Sequence, residues 1–296
     1  YYAAHTGRWG GDDKLNLQNI PRNSPLKHAI FAPTGYVMID SDSSQIEARV
    51  VAWLAGQHDV VKQFANGEDV YSIFATKIYS RPISKATPVE RFVGKTCILG
   101  LGYGTGAVKL RHTLKTQPPG ADLSEEECKR IVDLYRQEND KIPELWRECD
   151  RALEHLASWP SGTGEYSLGQ HEAVWVTPQG LRLPNGLYIK YPKLQRGEKG
   201  FIYTSRKGVQ SLWGGAVVEN VVQALARIIV GEQMIQMRDT YRPVLTVHDA
   251  AVCVAPTDNV QEAVEFIRQV MSTPPKWAPG LPVACEAKYG ESYGDC

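Results

Sequence analysis

Cysteine pairs at metal-binding spacing are missing from this sequence. Its six cysteines (Cys97, Cys128, Cys149, Cys253, Cys285, Cys296) are scattered, with no CxxC and no His partner at finger spacing, so no zinc site is expected. Several lie in apolar stretches such as AVCVAP, where a free thiol acts as a small hydrophobe; a reducing, cytoplasmic compartment is expected. No run approaches the roughly 20 apolar residues of a membrane span, and no signal peptide opens the chain, so no membrane partner is expected. Internal repeats and low-complexity tracts are also lacking. Charge of one sign does not dominate: 33 Lys and Arg balance 33 Asp and Glu. A chain that grips a phosphate backbone is more often basic, so the balance counts mildly against nucleic-acid binding, but it says nothing about how the charges are distributed. An initiator Met is absent. The chain opens on Tyr1-Tyr2 and reads as a fragment whose N-terminal part lies elsewhere.

What is present has a clear order. Residues 1–35 are loop-like and basic at intervals (Arg8, Lys14, Arg22, Lys27). YVMID then reads as a buried strand, and from Ser44 the pattern switches to a helix with Ile46, Val50, Trp53 and Leu54 on one face. Residues 58–158 are almost wholly helical in pattern. Capping boxes are expected at Thr87-Pro88-Val89-Glu90 and at Ser124 with Glu127. Residues 159–210 turn to loops and short strands (EAVWVT, LYIKY, FIYTS), followed by a helix from about Gly215 to Arg238. VLTVHDAAVCVAP reads as two strands meeting at His248-Asp249 in a hairpin. A helix (NVQEAVEFIRQVM) and a strand (LPVACEAKYG) follow. The order implies an α+β sheet domain with a helical domain inserted after its first strand.

Asp42 and Asp249 each end an apolar strand, and strand ends in one sheet can bring such groups together. Two-metal phosphoryl chemistry uses carboxylates bridging ions roughly 3.5–4 Å apart, and magnesium accepts few protein oxygens when substrate phosphates supply others. Spacing alone does not outweigh the reading of these aspartates as turn or helix caps. Arg91, Lys95, Leu99 and Tyr103 recur at steps of four along one helix and form a stripe. Cations lie at its N-terminal end, where backbone N–H groups favour anions, and an aromatic lies roughly 18 Å further on. Arg81, Lys85, Lys109, Arg111 and Lys115 flank the stripe, with Glu90 opposing; a solvated cationic helix would look the same. The glycines Gly100, Gly102, Gly104 and Gly106 imitate a dinucleotide-binding turn, but the capping box puts a helix start upstream and no strand ending in an acid follows.

At these residues the chain resembles family A (DNA polymerase I-like) DNA polymerases, of phage type. Asp42-Ser43-Ser44-Gln45-Ile46-Glu47-Ala48-Arg49 resembles motif A, DYSQIELR. Arg91, Lys95, Tyr103 and Gly104 match motif B, R-x3-K-x7-YG. Val247-His248-Asp249 matches the VHD of motif C. Thr6-Gly7-Arg8, Asn16-Leu17-Gln18-Asn19-Ile20-Pro21 and Glu219-Asn220-Val221-Val222-Gln223-Ala224 resemble further segments, in family order.

The resemblance implies a right-hand polymerase without its thumb: palm at 1–57 and 171–296, and inserted helical fingers at 58–170. The implied reaction is addition of dNTPs to a primer 3′-OH on a DNA template, in a phage protein acting in the bacterial cytoplasm. Asp42 and Asp249 would hold two Mg2+ ions, replaceable by Mn2+, with the Ser43 carbonyl as a further oxygen. Arg91 and Lys95 would bind the triphosphate, and Lys95 would protonate the leaving pyrophosphate. Glu47, held by Tyr103, would be the gate against a ribose 2′-OH. Gln45, Leu99 and Tyr71 complete the implied nucleotide set. Arg8 and Gln223 would touch the minor-groove edge near the primer end, His248 the primer terminus, and Asn16 and Asn19 the duplex backbone.

Four positions depart from the family pattern. Ser43 stands for Tyr, Ala250 for the Glu after VHD, Leu99 for an aromatic, and Tyr71 for the His of GxDIH (here Gly67-Glu68-Asp69-Val70-Tyr71). Two other classes fit parts of the sequence. A fragment that binds nucleotide or DNA without extending a primer would fail a primer-extension assay, and a nucleotide-cofactor oxidoreductase would bind NAD at the glycine cluster.

Overall fold

The computed structural model describes residues 2–10, 17–21, 24–198 and 200–296. Asn16 therefore lies outside the described residues. Short strands β1 (Tyr2–Ala3) and β2 (Trp9–Gly10) pair antiparallel. A 3-10 turn at Leu17–Asn19 and the short helix α1 (Pro25–His28) lead to strand β3 (Tyr36–Ser43) and helix α2 (Ile46–Ala55). Six helices follow: α3 (His58–Ala65), α4 (Val70–Tyr79), α5 (Pro88–Leu101), α6 (Ala107–Thr116), α7 (Glu125–Glu138) and α8 (Lys141–Ala157). Strands β4 (Tyr166–Ser167), β5 (Trp175–Thr177), β6 (Gly180–Arg182) and β7 (Tyr188–Ile189) form one antiparallel sheet. Strands β8 (Gln195–Gly197), β9 (Gly200–Ser205) and β10 (Gly208–Leu212) form another. Helix α9 (Gly214–Met237), strands β11 (Pro243–Val247) and β12 (Ala250–Pro256), helix α10 (Val260–Met271) and strand β13 (Cys285–Gly290) complete the order.

Two compact units result: residues 1–46 with 223–296, and residues 47–222. They divide within α2 and α9. The portions expected at 1–57, 58–170 and 171–296 rest on motif position.

In the first unit, four antiparallel strands stand in the order β11-β12-β3-β13. Successive side chains of a strand point to opposite faces, and β3 divides accordingly. Val37 and Ile39 join Ala251, Cys253 and Ala255 in a core closed by Met237, Ala263, Val264, Ile267 and Met271. Full burial of a Val, Ile or Met side chain stabilises by roughly 1.5–3 kcal/mol. Met38 faces the other way, against Val252 and Tyr293. Asp40 and Asp42 follow Met38 at steps of two and so belong to that second face, away from α10.

The second unit, helical through α8 as expected, carries the two small sheets. Its capping boxes divide. Ser124 and Glu127 bond reciprocally at the start of α7. Thr87 makes no side-chain cap of α5: its hydroxyl serves the backbone of Ser84, and Glu90 pairs with Arg81. A nearer turn captured both halves of the expected box.

One expectation about hydropathy needs correction. Helix α9, at 24 residues, is long and apolar enough to cross a membrane by length and composition, and 67% of its apolar window is buried within the protein. Glu219, Arg227 and Glu232 interrupt its sequence, which is why no uninterrupted apolar run was legible.

Candidate functional site

Each unit holds its own cluster of the expected residues. In the first, β12 pairs with β3 so that Ala250 stands opposite Asp42, and the Ser43 N–H donates to the Asp249 carbonyl at 3.2 Å. The β11–β12 hairpin thus sets Asp249 against the end of β3 beside Asp42. Its two-residue turn is His248-Asp249, with His248 at φ 53°. A positive φ is uncommon outside glycine and accompanies functional turns. On the other flank of β3, Glu286 stands opposite Asp42 and Lys288 opposite Asp40.

Burial raises the Asp249 carboxyl above its ordinary value, opposed by Arg8 and then His248. Asp40 belongs to none of the sequence motifs. Burial and then repulsion from Asp42 lift it to about 6, against the pull of Lys27 and Lys288, and its Oδ1 is buried without a hydrogen-bond partner among the described residues. Carboxylate oxygens are hard ligands, the chemistry a magnesium ion takes. Among the described residues no three His, Cys, Asp or Glu side chains converge as a metal site. Asp42, Asp249 and a backbone oxygen would therefore need substrate oxygens to complete the ion's shell.

Asp40 carries a pH prediction. Its folded pKa lies above the unfolded value of 3.8, so the folded state holds the proton more tightly. The stability it contributes is full at low pH and is lost as pH rises through 3.8 to about 6. Discounted for partial exposure, the loss is about 1–2 kcal/mol. Asp40→Asn is expected to unfold at higher urea than the parent at pH 7 and at the same urea near pH 4. Equal midpoints at both values would contradict this cost of ionising Asp40.

Around the hairpin turn, Gln18 acts as a surrogate strand. Its amide donates to the Thr246 carbonyl at 2.6 Å and accepts from the His248 N–H at 2.5 Å. Gln18 is buried, so a motif residue that had no assigned role fixes the turn carrying His248 and Asp249. Arg8 Nη2 lies 3.3 Å from His248 Nδ1, while Arg8 Nε is buried without a hydrogen-bond partner among the described residues. Thr6 Oγ1 donates to Gln223 Oε1 at 3.5 Å. Arg8, His248 and Gln223 therefore belong to one neighbourhood. Asn19 is exposed at the end of its 3-10 turn. Gln45 is exposed, with φ 50°, where β3 gives way to α2.

In the second unit, Glu47, Lys95, Leu99 and Tyr103 line one cleft of about 510 Å³. Phe92, Thr96, Lys109 and Glu219 also line it. Phe92 and Thr96 follow the expected stripe by one position each, so the helical period could have found them. A cation, a carboxylate and an aromatic in one open cleft suit a charged ligand with a flat ring.

The Tyr-Gly pair that ends the stripe has a packing reason. Gly104 has φ 77°, and a Cβ there would meet the Trp213 ring at 2.0 Å. Trp213 packs edge-on against Trp146, whose indole N–H donates to the Gly102 carbonyl at 2.9 Å. Gly104→Ala would combine left-handed strain with displacement of the ring, costing roughly 2–3 kcal/mol. A melting temperature several degrees lower is expected; an unchanged one would contradict this packing.

Arg91 and Tyr71 do not line the cleft. Arg91 grips Asp69 through Nε at 2.6 Å and Nη2 at 3.1 Å and lies over the ring of buried Tyr71. Burial would raise the Asp69 carboxyl, but hydrogen bonds from Arg91 and Ser72 outweigh it and hold it below its ordinary value. Asp69 also caps α4 through Ser72. Arg49 is likewise structural: its buried guanidinium meets the Phe64 carbonyl at 3.4 Å and the Phe64 ring.

A family model described as DNA polymerase family A matches residues 2–157. The DNA polymerase of Bacillus phage SP02 is 28% identical over 345 residues, covering 99% of this chain and 51% of that protein. The thermostable DNA polymerase I of Thermus thermophilus is 26% identical over 296 residues, covering 98% of this chain and 31% of that protein. Among solved structures, the POL domain of Pol1 from M. smegmatis, in complex with DNA primer-template and dNTP, matches with a TM-score of 0.70 at 23% identity, over 99% of this chain and 47% of that one. At that identity the likeness is one of fold. The chain spans about half the length of the phage relative and about a third of the Thermus one.

Proposed function

The chain belongs to DNA polymerase family A, and from that premise we propose that it adds deoxynucleotides to a primer 3′-OH as a DNA template directs. The observation that carries the reading is the register of β12 on β3, which brings Asp42 and Asp249 together at the end of one sheet. In this reading residues 1–57 and 171–296 are palm, and 58–170 are fingers. Primer-template DNA and dNTPs are its partners, and the reducing cytoplasm its place of action.

Two magnesium ions would be held by Asp42, Asp249 and the Ser43 carbonyl. Bound there, they would supply charge stabilisation at the phosphoryl oxygens and an activated primer oxygen. The chain's own residues do the rest by positioning and charge, as in phosphoryl transfer generally. Arg8 is partly exposed and would donate to a base edge or sugar, and Gln223 and His248 share its neighbourhood. Minor-groove acceptors look alike among base pairs, so such contacts suit a protein that must accept any sequence. In the cleft of α5, Lys95 would bind the triphosphate and give a proton to the departing pyrophosphate. Arg91 would act through α4 and α5, where Asp69 holds it.

Glu47 would be the ribose gate, since it lines the cleft with Leu99 and Tyr103. A carboxylate that fills the space of a 2′-OH discriminates by clash and by desolvation of the hydroxyl. Glu47→Ala is expected to raise ribonucleotide over deoxynucleotide incorporation by about 100-fold. Competition between rNTP and dNTP in single-turnover extension measures it; an unchanged ratio would remove Glu47 from the gate. The reading as a whole is tested by single-nucleotide addition opposite each of the four template bases. Selection of the complementary dNTP in every case is expected, and addition indifferent to the template base would overturn it.

A further inference from the structure

One basic groove in the first unit has no part in the chemistry above. It encloses about 340 Å³ and is lined by Arg227, Arg238 and Arg242 over an apolar floor that includes Trp9, Met234 and Ile235. None of its lining residues is acidic. The Arg227 guanidinium lies 4.3 Å from the Trp9 ring centroid. It passes so close to Gly231 that a Cβ there would meet its Nη1 at 2.6 Å. Burial lowers the Arg227 pKa with no carboxylate opposing it. Among the described residues neither Arg227 nor Arg242 makes a salt bridge, while Arg238 makes an exposed one with its neighbour Asp239 at 3.2 Å. Ile235 is 60% exposed, which leaves the floor open to a partner.

The groove continues the Arg8, Gln223 and His248 neighbourhood along two elements. Trp9 follows Arg8 directly. On α9, Gln223, Arg227, Met234 and Arg238 fall at helical steps on one face, so Arg238 lies roughly 22 Å beyond Gln223 at 1.5 Å per residue. On β11, Pro243 lies roughly 17 Å from His248 at 3.4 Å per residue. Both elements lead from the same cluster to the same arginines. Phosphates along one strand of B-form duplex advance by about 3.4 Å, so these distances correspond to about five or six base pairs.

We infer that this groove seats the sugar-phosphate backbone of the duplex about five or six base pairs behind the primer end. Guanidinium forks match phosphate oxygens in pairs, and the Trp9, Met234 and Ile235 floor meets the sugars. The inference rests on the polymerase reading and adds a second, sequence-independent contact to it.

The test uses this chain with hairpin primer-templates whose stems are about 4 and about 14 base pairs, one too short and one long enough to reach the groove. Binding is read by fluorescence anisotropy across a salt series. The double variant Arg238→Ala with Arg242→Ala changes only exposed side chains. It is expected to weaken the long stem by about 10-fold and lower its salt slope by about 2, leaving the short stem unchanged. Arg227→Ala should act in the same direction. Arg8→Ala should weaken both stems alike, because its contact lies at the primer end. Equal weakening of both stems by the double variant, or none, would overturn the groove while Arg8→Ala still supports the polymerase reading. Failure of the parent to bind either stem would overturn both.

Discussion

Asp249→Ala is expected to lower nucleotide incorporation by at least about a thousandfold. A metal ion at a phosphoryl centre is worth several kcal/mol, and about 4 kcal/mol corresponds to three powers of ten in rate. The fold should not suffer. The hydrogen bond that ties the hairpin to β3 uses the Asp249 carbonyl, which alanine keeps. The Asp249 carboxyl is raised by burial, so its charged form destabilises the folded state near neutral pH and its removal relieves that cost. Loss of incorporation with a melting temperature at or above the parent's is therefore the expected pair of results. A coincident loss of melting temperature would make Asp249 a packing residue, and retained incorporation would take it out of the site.

Lys95→Ala is expected to slow incorporation by about 100- to 1000-fold, the usual cost of removing one charged donor from a transition state of this kind. Lys95 is exposed in its cleft and makes no salt bridge among the described residues, so stability should be unaffected. Arg91→Ala offers the contrast. Its guanidinium is committed to Asp69 at the start of α4, and its removal should lower stability as well as activity. Pre-steady-state extension with thermal melting separates the two. Equal melting losses in both variants would deny that Lys95 is free to serve a nucleotide.

Much of this was legible in the sequence because it is local. The hairpin at His248-Asp249 follows from two apolar strands with a two-residue interruption, and the stripe from Arg91 to Tyr103 follows from the helical period. Alternation along β3 also marks Asp40, which shares a face with Asp42 but lies two residues outside the motif A segment. Other features depend on contacts that no local pattern encodes. Gly104 is required by Trp213, more than a hundred positions away. Gln18 earns its burial by completing the edge of β11 beside His248. The capping box at Thr87 failed for the opposite reason: Ser84 and Arg81 were nearer partners than the helix end. The pairing of Arg91 with the bidentate carboxylate of Asp69, 22 positions upstream, is likewise outside any local pattern.

Two departures from the family pattern lie at the end of β3. Ala250 stands directly opposite Asp42, so the missing acid after the VHD motif leaves a methyl group beside the candidate magnesium ligand. Ser43 is buried, and its hydroxyl has no hydrogen-bond partner among the described residues. Asp42 and Asp249 themselves are both kept.

The most direct test is magnesium-dependent primer extension by this chain, with Asp42→Ala run in parallel on the same primed template. Extension by the parent and none by Asp42→Ala is the result predicted for a family A polymerase whose catalytic centre lies at the end of β3. Equal extension by both would contradict it.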